Sequence, residues 1–294
     1  MKRVLITGKN SYIGTSVENW LKKEPSKYDV DSVDMKDGLF REKDFSKYDV
    51  VFHVAGIAHI KETKANKHLY YEVNRDLAYE TAKKAKEEGV RQFVFLSSMS
   101  VYGIEFGVID NSTLLKPNSS YGKSKLQAEE LIRQLEDKSF SIATIRPPMV
   151  YGKGCKGNYT RLSGFAIKTP IFPNIRNKRS MIFIDNLSQF VKQVIDNESS
   201  GLFFPQNAEY VATSDMVQLI ASAHGKKVIM TKLFNPFLRI LNISMVNKMF
   251  RDLVYEKSMS EYDFDYRVCN FKESILKTET AKGSEENSEK RGIN

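Results

Sequence analysis

A tyrosine and a lysine lie four residues apart in the sequence YGKSK, at Tyr121 and Lys125. The residues around them predict a helix, on which this spacing places both side chains on one face, within reach of one site. The ammonium group of Lys125 would stabilise a tyrosinate and lower the pKa of Tyr121 from its ordinary value of about 10. Such a phenol can exchange a proton with a sugar or alcohol hydroxyl. The pair alone would equally suit a surface contact, so its position in the fold decides between the two interpretations.

Hydroxyl side chains follow the apolar run 93–96 in the sequence FLSSMSVYG. A run of this kind predicts a buried parallel strand, and ligands of open α/β sheets bind at the carboxyl ends of such strands. We therefore expect Ser98 to hydrogen-bond the reacting oxygen and to orient it towards Tyr121. The neighbouring Ser97 and Ser100 suit capping of the strand and of its turn.

The N-terminal residues predict a phosphate-binding turn. The apolar run 3–7 is followed by GKNSYIG, from Gly8 to Gly14, and by a helix-patterned stretch that reaches Leu21. A strand, a glycine turn and a helix N-terminus present backbone N–H groups and the positive end of the helix dipole to a pyrophosphate. Ser11 replaces the middle glycine of the usual dinucleotide pattern, so the turn alone could also be an ordinary strand-to-helix connection.

An acidic residue predicts which dinucleotide this turn would hold. Asp34 ends the second predicted strand, 26 residues after Gly8. A carboxylate there accepts hydrogen bonds from the ribose hydroxyls and repels a 2′-phosphate, which favours NAD. Because Lys9 and Lys36 could neutralise an extra phosphate, NADP remains an alternative. With either nicotinamide, Tyr121 would exchange a proton while a hydride is transferred.

Predicted strands and helices alternate through the first half of the chain, which indicates crossover connections and a parallel sheet covered by helices on both faces. We therefore predict an α/β fold with a doubly wound parallel sheet of the Rossmann type and a smaller, discontinuous C-terminal substrate-binding part. The predicted elements cover residues 3–7, 12–23, 28–34, 49–55, 70–88, 91–97, 120–136 and 140–146. The predicted divisions are an NAD-binding domain over 1–150 with a returning segment near 181–198, a substrate-binding part over 151–180 and 199–276, and a disordered tail over 277–294.

Composition excludes several classes of protein. The chain of 294 residues is 41% hydrophobic and 28% charged, as expected of a globular enzyme. It holds no apolar run of about eighteen residues and enters a strand at once, so we expect no signal peptide and a cytoplasmic location. Its two cysteines lack metal-ligand spacing, so no metal site is predicted. The net charge of +9 comes from scattered lysines, which predicts no nucleic-acid stripe and suits a phosphorylated substrate.

In this order of motifs the chain resembles the extended short-chain dehydrogenase/reductase family, and within it the NAD-dependent nucleotide-sugar epimerase/dehydratase group, which includes the UDP-glucose 4-epimerases and the 4-ketoreductases of polysaccharide biosynthesis. The resemblance extends to about residue 275. The motifs that carry it are GKNSYIG, HVAG, EVNRDLA, FLSSMSVYG, YGKSK and RPPMVYGKG.

The resemblance implies a role for each matched residue. Pyrophosphate would be held by Gly8, Ser11, Tyr12, Ile13 and Gly14. Asp34 would bind the ribose, and Asp44 with Phe45 would bind the adenine. The cofactor path would be lined by Ala55 and Gly56, with Asn74 supporting it and Tyr121 and Lys125 touching the cofactor. The catalytic group would be Ser98, Tyr121 and Lys125.

The resemblance also implies a binding site for a nucleotide-diphosphate sugar. Ser98 would contact the sugar, and Asn158 and Arg179 would contact its diphosphate, for which a planar guanidinium is well shaped. Arg179 lies in the basic cluster NKRSM and could instead belong to a solvated loop. Two residues depart from the family pattern: His53 replaces a small or amide residue, and Met149 stands where many sugar epimerases carry an asparagine.

Three functional hypotheses follow. The first is an NAD-dependent 4-epimerase of a UDP-hexose or UDP-N-acetylhexosamine, which oxidises C4 transiently to a 4-keto sugar in surface polysaccharide biosynthesis. The second is an NAD(P)H-dependent 4-ketoreductase of a UDP- or dTDP-linked 4-keto-6-deoxy sugar. The third is a nucleotide-binding protein without turnover, because a fold alone does not determine an activity.

Two surface features bear on possible partners. The segment 233–250 is apolar with basic residues around it, and it could pack over the substrate pocket or lie on a membrane surface. We expect the packed arrangement, and no stable membrane insertion. The family resemblance also suggests a homodimer through the helices near 70–88 and 120–136.

Overall fold

The computed structural model describes residues 1–289 except Asp37, His59, Lys61 and Asn242. The strands are β1 (Lys2–Thr7), β2 (Tyr28–Val33), β3 (Val50–His53), β4 (Gln92–Leu96), β5 (Gly107–Ile109), β6 (Ser141–Ile145), β7 (Met149–Tyr151), β8 (Ile171–Pro173), β9 (Met181–Phe183), β10 (Gly201–Phe203), β11 (Ile229–Thr231) and β12 (Leu253–Tyr255). The helices are α1 (Tyr12–Leu21), α2 (Lys67–Tyr71), α3 (Leu77–Glu87), α4 (Ser120–Arg133), α5 (Asn158–Lys168), α6 (Ile184–Asp196), α7 (Thr213–Ala223), α8 (Asn235–Ile240), α9 (Ser244–Phe250) and α10 (Phe271–Glu289).

Six parallel strands form the main sheet, in the order β10-β6-β4-β3-β1-β2. This confirms the predicted doubly wound α/β fold. The chain passes from β1 outwards to β2 and then returns to β3 on the other side of β1. The strand order therefore reverses between β1 and β3, and ligands of open α/β sheets bind in the crevice at such a point.

Apolar side chains cover both faces of this sheet. One face packs against α1 and α6, with Val17 and Leu187 in its core. The other face packs against α3 and α4, with Ala82 and Ile132 in its core. His53 ends β3 inside the protein, fully buried, with its Nδ1 atom 2.8 Å from the Thr7 hydroxyl. Because burial favours the uncharged ring, the pKa of His53 falls to about 3, and the imidazole is neutral.

Short parallel strand pairs build the smaller part of the molecule: β8 with β11, β5 with β12, and β7 with β9. Two predicted divisions need correction. The returning segment extends to Phe203, because β10 is the sixth strand of the main sheet. In addition, residues 107–109 leave the first domain, because β5 pairs with β12.

The C-terminal segment differs from the prediction of disorder over 277–294. Helix α10 continues to Glu289, and Thr278 and Glu279 are buried in it. The Glu279 carboxylate accepts hydrogen bonds from the hydroxyls of Tyr159 (2.7 Å) and Ser163 (3.0 Å) on α5. The tail boundary at 277 is therefore wrong, and residues 290–294 lie outside the described residues. Within the described part of the chain, no helix is long and apolar enough to cross a membrane.

Candidate active site

Ser98 and Tyr121 meet at the carboxyl end of β4. Helix α4 begins beside them because the Ser119 hydroxyl caps it, accepting a hydrogen bond of 3.1 Å from the Gly122 amide. Tyr121 lies in the first turn, where its phenol is close enough to the Ser98 hydroxyl for that hydroxyl to affect the phenol's pKa. The Tyr70 ring lies edge-on to the Tyr121 ring, with centroids 6.5 Å apart. The Tyr121 side chain therefore lies close to both the Ser98 hydroxyl and the Tyr70 ring.

Gly122 allows α4 to come this close to the hydroxyl cluster. A Cβ atom at this position would lie 2.5 Å from the Ser100 carbonyl oxygen and 3.0 Å from the Pro117 Cβ atom. Both distances are shorter than ordinary van der Waals contact, so any larger residue would push the helix away. The glycine in YGKSK therefore sets the distance between Tyr121 and Ser98.

Lys125 lies one turn further along α4 and is only 4% exposed. Its Nζ atom donates a 2.8 Å hydrogen bond to the Leu96 carbonyl at the end of β4, and it lies 4.7 Å from the centre of the Phe95 ring. Burial lowers the pKa of this ammonium group to about 8, although Glu129 opposes the shift. The lysine is therefore anchored below the strand end that carries Ser98.

The predicted effect of Lys125 on Tyr121 is wrong for this arrangement. Burial raises the pKa of Tyr121, and the hydrogen bond from Ser98 opposes that rise. The Lys125 ammonium group is directed at the Leu96 carbonyl, and it is not among the groups that shift the phenol. The phenol therefore holds its proton at neutral pH in the structure.

Asn74 connects the end of β3 to α4. Residues Glu72–Asp76 form a π-helical segment, so the single helix predicted over 70–88 is interrupted. The fully buried Asn74 side chain accepts a 2.8 Å hydrogen bond from the Ile57 amide, and it donates to the Ile57 carbonyl (3.0 Å) and to Ser124 (3.2 Å). These contacts position the segment after β3.

The glycine turn lies at the reversal point of the sheet. Gly8 has a φ of +105°, which favours glycine, and a Cβ atom there would lie 3.0 Å from the Ala55 amide nitrogen. A Cβ atom on Gly14 would lie 2.5 Å from the Ser11 hydroxyl and 3.0 Å from the Val54 Cγ1 atom. The turn therefore packs closely on the strand end that leads to Gly56, as a dinucleotide cradle requires.

Three residues of this turn differ in what they offer a cofactor. Ser11 caps α1, because its side-chain oxygen accepts a 3.2 Å hydrogen bond from the Gly14 amide. The side chains of Tyr12 and Ile13 pack against the core that includes Ile184. The Tyr12 hydroxyl is buried without a hydrogen-bond partner among the described residues, and burial raises its pKa.

The residues predicted to bind the ribose and the adenine differ in their burial and in their hydrogen-bond partners. Asp34 follows β2 and is half-buried, and its carboxylate accepts a 3.0 Å hydrogen bond from the Lys36 amide. The Asp44 carboxylate accepts from the Ser46 amide at 2.9 Å. The Phe45 ring is fully buried, and its amide donates to Glu88 at 2.5 Å. The Phe45 ring packs in the core beside the sheet, and the adenine contact of Asp44 and Phe45 stays a prediction.

The residues around the turn fit a bound dinucleotide at its pyrophosphate and ribose. The helix N-terminus, the close-packed glycines Gly8 and Gly14, and the Asp34 carboxylate are the donor and acceptor groups that this part of NAD needs. Among the residues that the structure describes, no group of three or more His, Cys, Asp and Glu side chains could hold a metal ion.

The two predicted substrate residues lie on the smaller part of the molecule. Asn158 is the exposed first residue of α5. Arg179 precedes β9, and its backbone bridges Val211 and Leu253. Its Nη1 atom donates to the Arg251 carbonyl at 3.3 Å.

The guanidinium of Arg179 is available to an anion. Burial lowers its pKa to about 10, against the attraction of Asp252, and it forms no ion pair with the side chains described. A desolvated cation bonded to a neutral carbonyl gains most from an anionic partner. Arg251, which supplies that carbonyl, borders a cavity of about 360 Å³. The cavity is lined by Phe106, Gly107, Ile175, Leu238, Phe250, Arg251 and Asp252.

The sequence analysis does not predict a buried ion pair that lies next to the end of β4. Glu129 and Arg146 are 8% and 5% exposed, and they meet through two contacts, Nη2 to Oε2 at 2.5 Å and Nε to Oε1 at 3.0 Å. Ser97 also donates to Glu129, and the Arg146 carbonyl accepts from Tyr255 at 2.9 Å. An arginine that ends an apolar strand is the signal that could have revealed this pair, which joins the end of β4 to β12.

Comparisons with known proteins show which family the chain is similar to. A model of the NAD dependent epimerase/dehydratase family matches residues 4–203. A UDP-glucose 4-epimerase of Vibrio cholerae is 33% identical over 255 residues, which cover 76% of each chain. The N-acetyl-alpha-D-glucosaminyl-diphospho-ditrans,octacis-undecaprenol 4-epimerase of Escherichia coli O157:H7 is 27% identical over 67% of this chain and 64% of its own.

Solved structures show the same fold. A UDP-glucuronic acid 4-epimerase from Bacillus cereus, crystallised with NAD, has a TM-score of 0.71 at 18% identity and covers 96% of this chain and 99% of its own. A dTDP-4-dehydrorhamnose reductase from Clostridium acetobutylicum has a TM-score of 0.72 at 21% identity, with coverage of 93% and 97%. With the family match over residues 4–203, these findings lead to one conclusion. The chain belongs to the NAD dependent epimerase/dehydratase family.

Proposed function

We propose that this enzyme is an NAD-dependent 4-epimerase of a nucleotide-diphosphate sugar, either a UDP-hexose or a UDP-N-acetylhexosamine. The observation that carries the proposal is the proximity of Ser98 and Tyr121 at the end of β4, in the same sheet as the glycine turn. The similarity to the Vibrio cholerae UDP-glucose 4-epimerase supports epimerisation at C4.

The two hydroxyl groups would act on the C4 oxygen of the sugar. Ser98 would hydrogen-bond this oxygen and align it with Tyr121, whose deprotonated oxygen would take the C4 hydroxyl proton and return it after the 4-keto sugar has turned. Bound NAD supplies a hydride acceptor and donor and a positive charge that favours the tyrosinate. Lys125 adds a second positive charge behind Ser98 and keeps the end of β4 in place through the Leu96 carbonyl.

Residues of the smaller part would hold the diphosphate. Arg179 presents a half-buried guanidinium that lacks a carboxylate partner among the described side chains, and Asn158 presents an exposed amide at the start of α5. Planar guanidinium donors can bind phosphate oxygens in pairs. Anchoring at the diphosphate leaves the sugar free to turn, which epimerisation requires and a one-way reduction does not.

The experiment is to denature the purified enzyme, identify the released nicotinamide, and incubate native enzyme with UDP-sugars without added cofactor. We expect retained NAD and cofactor-free interconversion of the C4 epimers, followed by NMR. A protein that is inactive until it receives a 4-keto sugar and NADPH or NADH would instead be a 4-ketoreductase. No turnover in either assay would support the non-catalytic hypothesis.

A second candidate substrate is a sugar diphosphate carried on a polyprenol. The Escherichia coli relative, whose name describes an undecaprenol-linked substrate, favours it. The same residues would act on the sugar and on the diphosphate, and only the group beyond the diphosphate would differ. The cytoplasmic location and the homodimer through the outer faces of α3 and α4 are part of this proposal, and sedimentation velocity tests the dimer.

A further inference from the structure

Helix α8 exposes large apolar side chains. Phe237 and Ile240 are 65% and 82% exposed, and their three-residue spacing places them on one side of the helix, while Leu233, just before the helix, is 79% exposed. Phe234 and Ile243 extend this surface at 46% and 53% exposure. We call these five residues the α8 surface. The sequence analysis expected the segment 233–250 to pack over the substrate pocket, and that expectation is wrong for this side of α8.

The segment of the chain that contains the α8 surface is basic. Residues 216–251 contain four lysines and two arginines and no aspartate or glutamate. Lys227 and Lys232 are exposed and precede the apolar side chains in the sequence, whereas Lys248 pairs with Glu105 at 3.5 Å. An exposed apolar stripe flanked by basic residues is the pattern of a helix that lies in the headgroup region of an anionic bilayer.

A second copy of the chain fits this surface poorly. In a two-fold dimer the same patch would lie on both sides of the contact, so the lysines of one copy would face those of the other. Like charges placed against each other oppose association. An anionic lipid surface, by contrast, neutralises the lysines and removes the apolar side chains from water.

The α8 surface adjoins the region that would hold the substrate. On the opposite side of α8, Leu238 lines the cavity of about 360 Å³, which Arg251 also borders. The Arg251 carbonyl accepts the 3.3 Å hydrogen bond from Arg179, the residue proposed to bind the diphosphate. One side of α8 therefore meets solvent while the other side meets the neighbourhood of the diphosphate site.

We propose that the α8 surface docks on an anionic membrane as a peripheral contact and opens the substrate site towards the lipid headgroups. Helix α8 covers six residues, so it would lie on the bilayer rather than cross it. This orientation suits a sugar diphosphate whose other end is a lipid, and that consequence rests on the proposed function. The docking itself depends only on the surface.

The test measures binding of the full-length enzyme to sedimented vesicles of phosphatidylglycerol and phosphatidylcholine, with pure phosphatidylcholine vesicles as comparison. We expect the enzyme to bind the anionic vesicles and to lose binding as salt is added. The double variant F237S/I240S should bind them at least about tenfold more weakly. The variant K227E/K232E should lose the preference for anionic vesicles.

The matched control is L202S/L276S, which changes two exposed leucines on β10 and α10, outside the α8 surface, and should bind like the wild type. Absence of wild-type binding, or equal binding by F237S/I240S, would overturn the docking. Size-exclusion chromatography in which F237S/I240S converts a wild-type dimer to a monomer would assign the surface to a second copy instead.

Epimerisation of a soluble UDP-sugar, measured on the same variants, separates this inference from the proposed function. We expect F237S/I240S to keep the wild-type rate on the soluble substrate, because neither residue lines the site. If the wild type binds vesicles but epimerises no sugar, the proposed function fails and the docking stands. If it epimerises the sugar but binds no vesicles, the docking fails alone.

Discussion

The two parts of the molecule use their apolar residues in opposite ways. In the six-stranded sheet, residues such as Phe52 and Phe190 are fully buried, and the glycine turn and Ser98 are fixed by the ends of strands. In the smaller part, the strands form three pairs of three residues each, Asn158 and Arg179 lie outside these strands, and α8 leaves Phe237 and Ile240 in solvent. The predicted cofactor site is therefore formed mainly by backbone groups at the ends of strands. The proposed substrate site is formed by individual side chains and the surfaces next to them.

Among the substitutions considered, Tyr121→Phe should have the largest effect on activity. The variant removes the hydroxyl that exchanges the proton, so we expect kcat to fall by about 10²- to 10⁴-fold. The retained NAD should be unchanged, because the glycine turn and Asp34 are untouched. Steady-state kinetics and the nicotinamide content of the purified variant check both parts. Nearly normal turnover would remove Tyr121 from the chemistry.

A matched pair of phenylalanines compares the two parts directly. Phe190→Ala opens a cavity among the rings of Phe203, Tyr262 and Tyr266, and should lower the free energy of unfolding by about 3 to 5 kcal/mol. Phe237→Ala removes a ring that is 65% exposed, and should change it by less than about 0.5 kcal/mol. Chemical denaturation of both variants measures the difference, and equal losses would show that α8 is packed.

The burial of Lys125 predicts how stability depends on pH. Its pKa is about 8 in the folded protein and 10.5 in the unfolded chain, so between these values the unfolded chain binds more protons. Stability should therefore rise with pH across this window, by about 3 kcal/mol from this group. Denaturation of the wild type and of Lys125→Met below pH 8 and above pH 10.5 isolates the contribution. A constant difference between the two proteins would mean that Lys125 is not desolvated.

Substitution of Arg179 tests the proposed substrate site, and its expected effect is the smallest of those on activity. Arg179→Ala should raise KM about 10- to 100-fold, since a hydrogen bond to a charged group contributes about 1.5 to 3 kcal/mol. Arg179→Lys should recover only part of it, because a lysine cannot form the paired contacts of a guanidinium. Because the residue lies away from Tyr121, kcat should change little. A fall in kcat at constant KM would contradict a role in diphosphate binding.

The sequence predicts the first half of the fold well because its signals are local. Continuous apolar runs mark the buried strands, and a strand followed by Gly8 and Gly14 marks the turn. The same is true of Ser98 and Tyr121, because the end of β4 and the start of α4 bring them close together, whereas Lys125 lies one turn further along and is directed at the Leu96 carbonyl. Each of these predictions needs only neighbouring residues.

The remaining features depend on contacts that are distant in sequence. The π-helical segment Glu72–Asp76 keeps the apolar pattern of an ordinary helix, so only the Asn74 contacts reveal it. Strands β5 and β12 have three residues each and pair across about half the chain. The burial of Tyr12 and Phe45 follows from the way helices and loops pack on the sheet, which no local pattern contains.

The central claim is that the hydride removed from C4 returns to the same sugar. The most direct measurement is to incubate the enzyme, without added cofactor, with a UDP-sugar that carries deuterium at C4, and to follow the label by NMR and mass spectrometry. The account predicts that the epimerised product keeps deuterium at C4 and takes up none of the solvent hydrogen. Loss of the label to solvent would contradict it, because the C4 hydrogen would then leave as a proton.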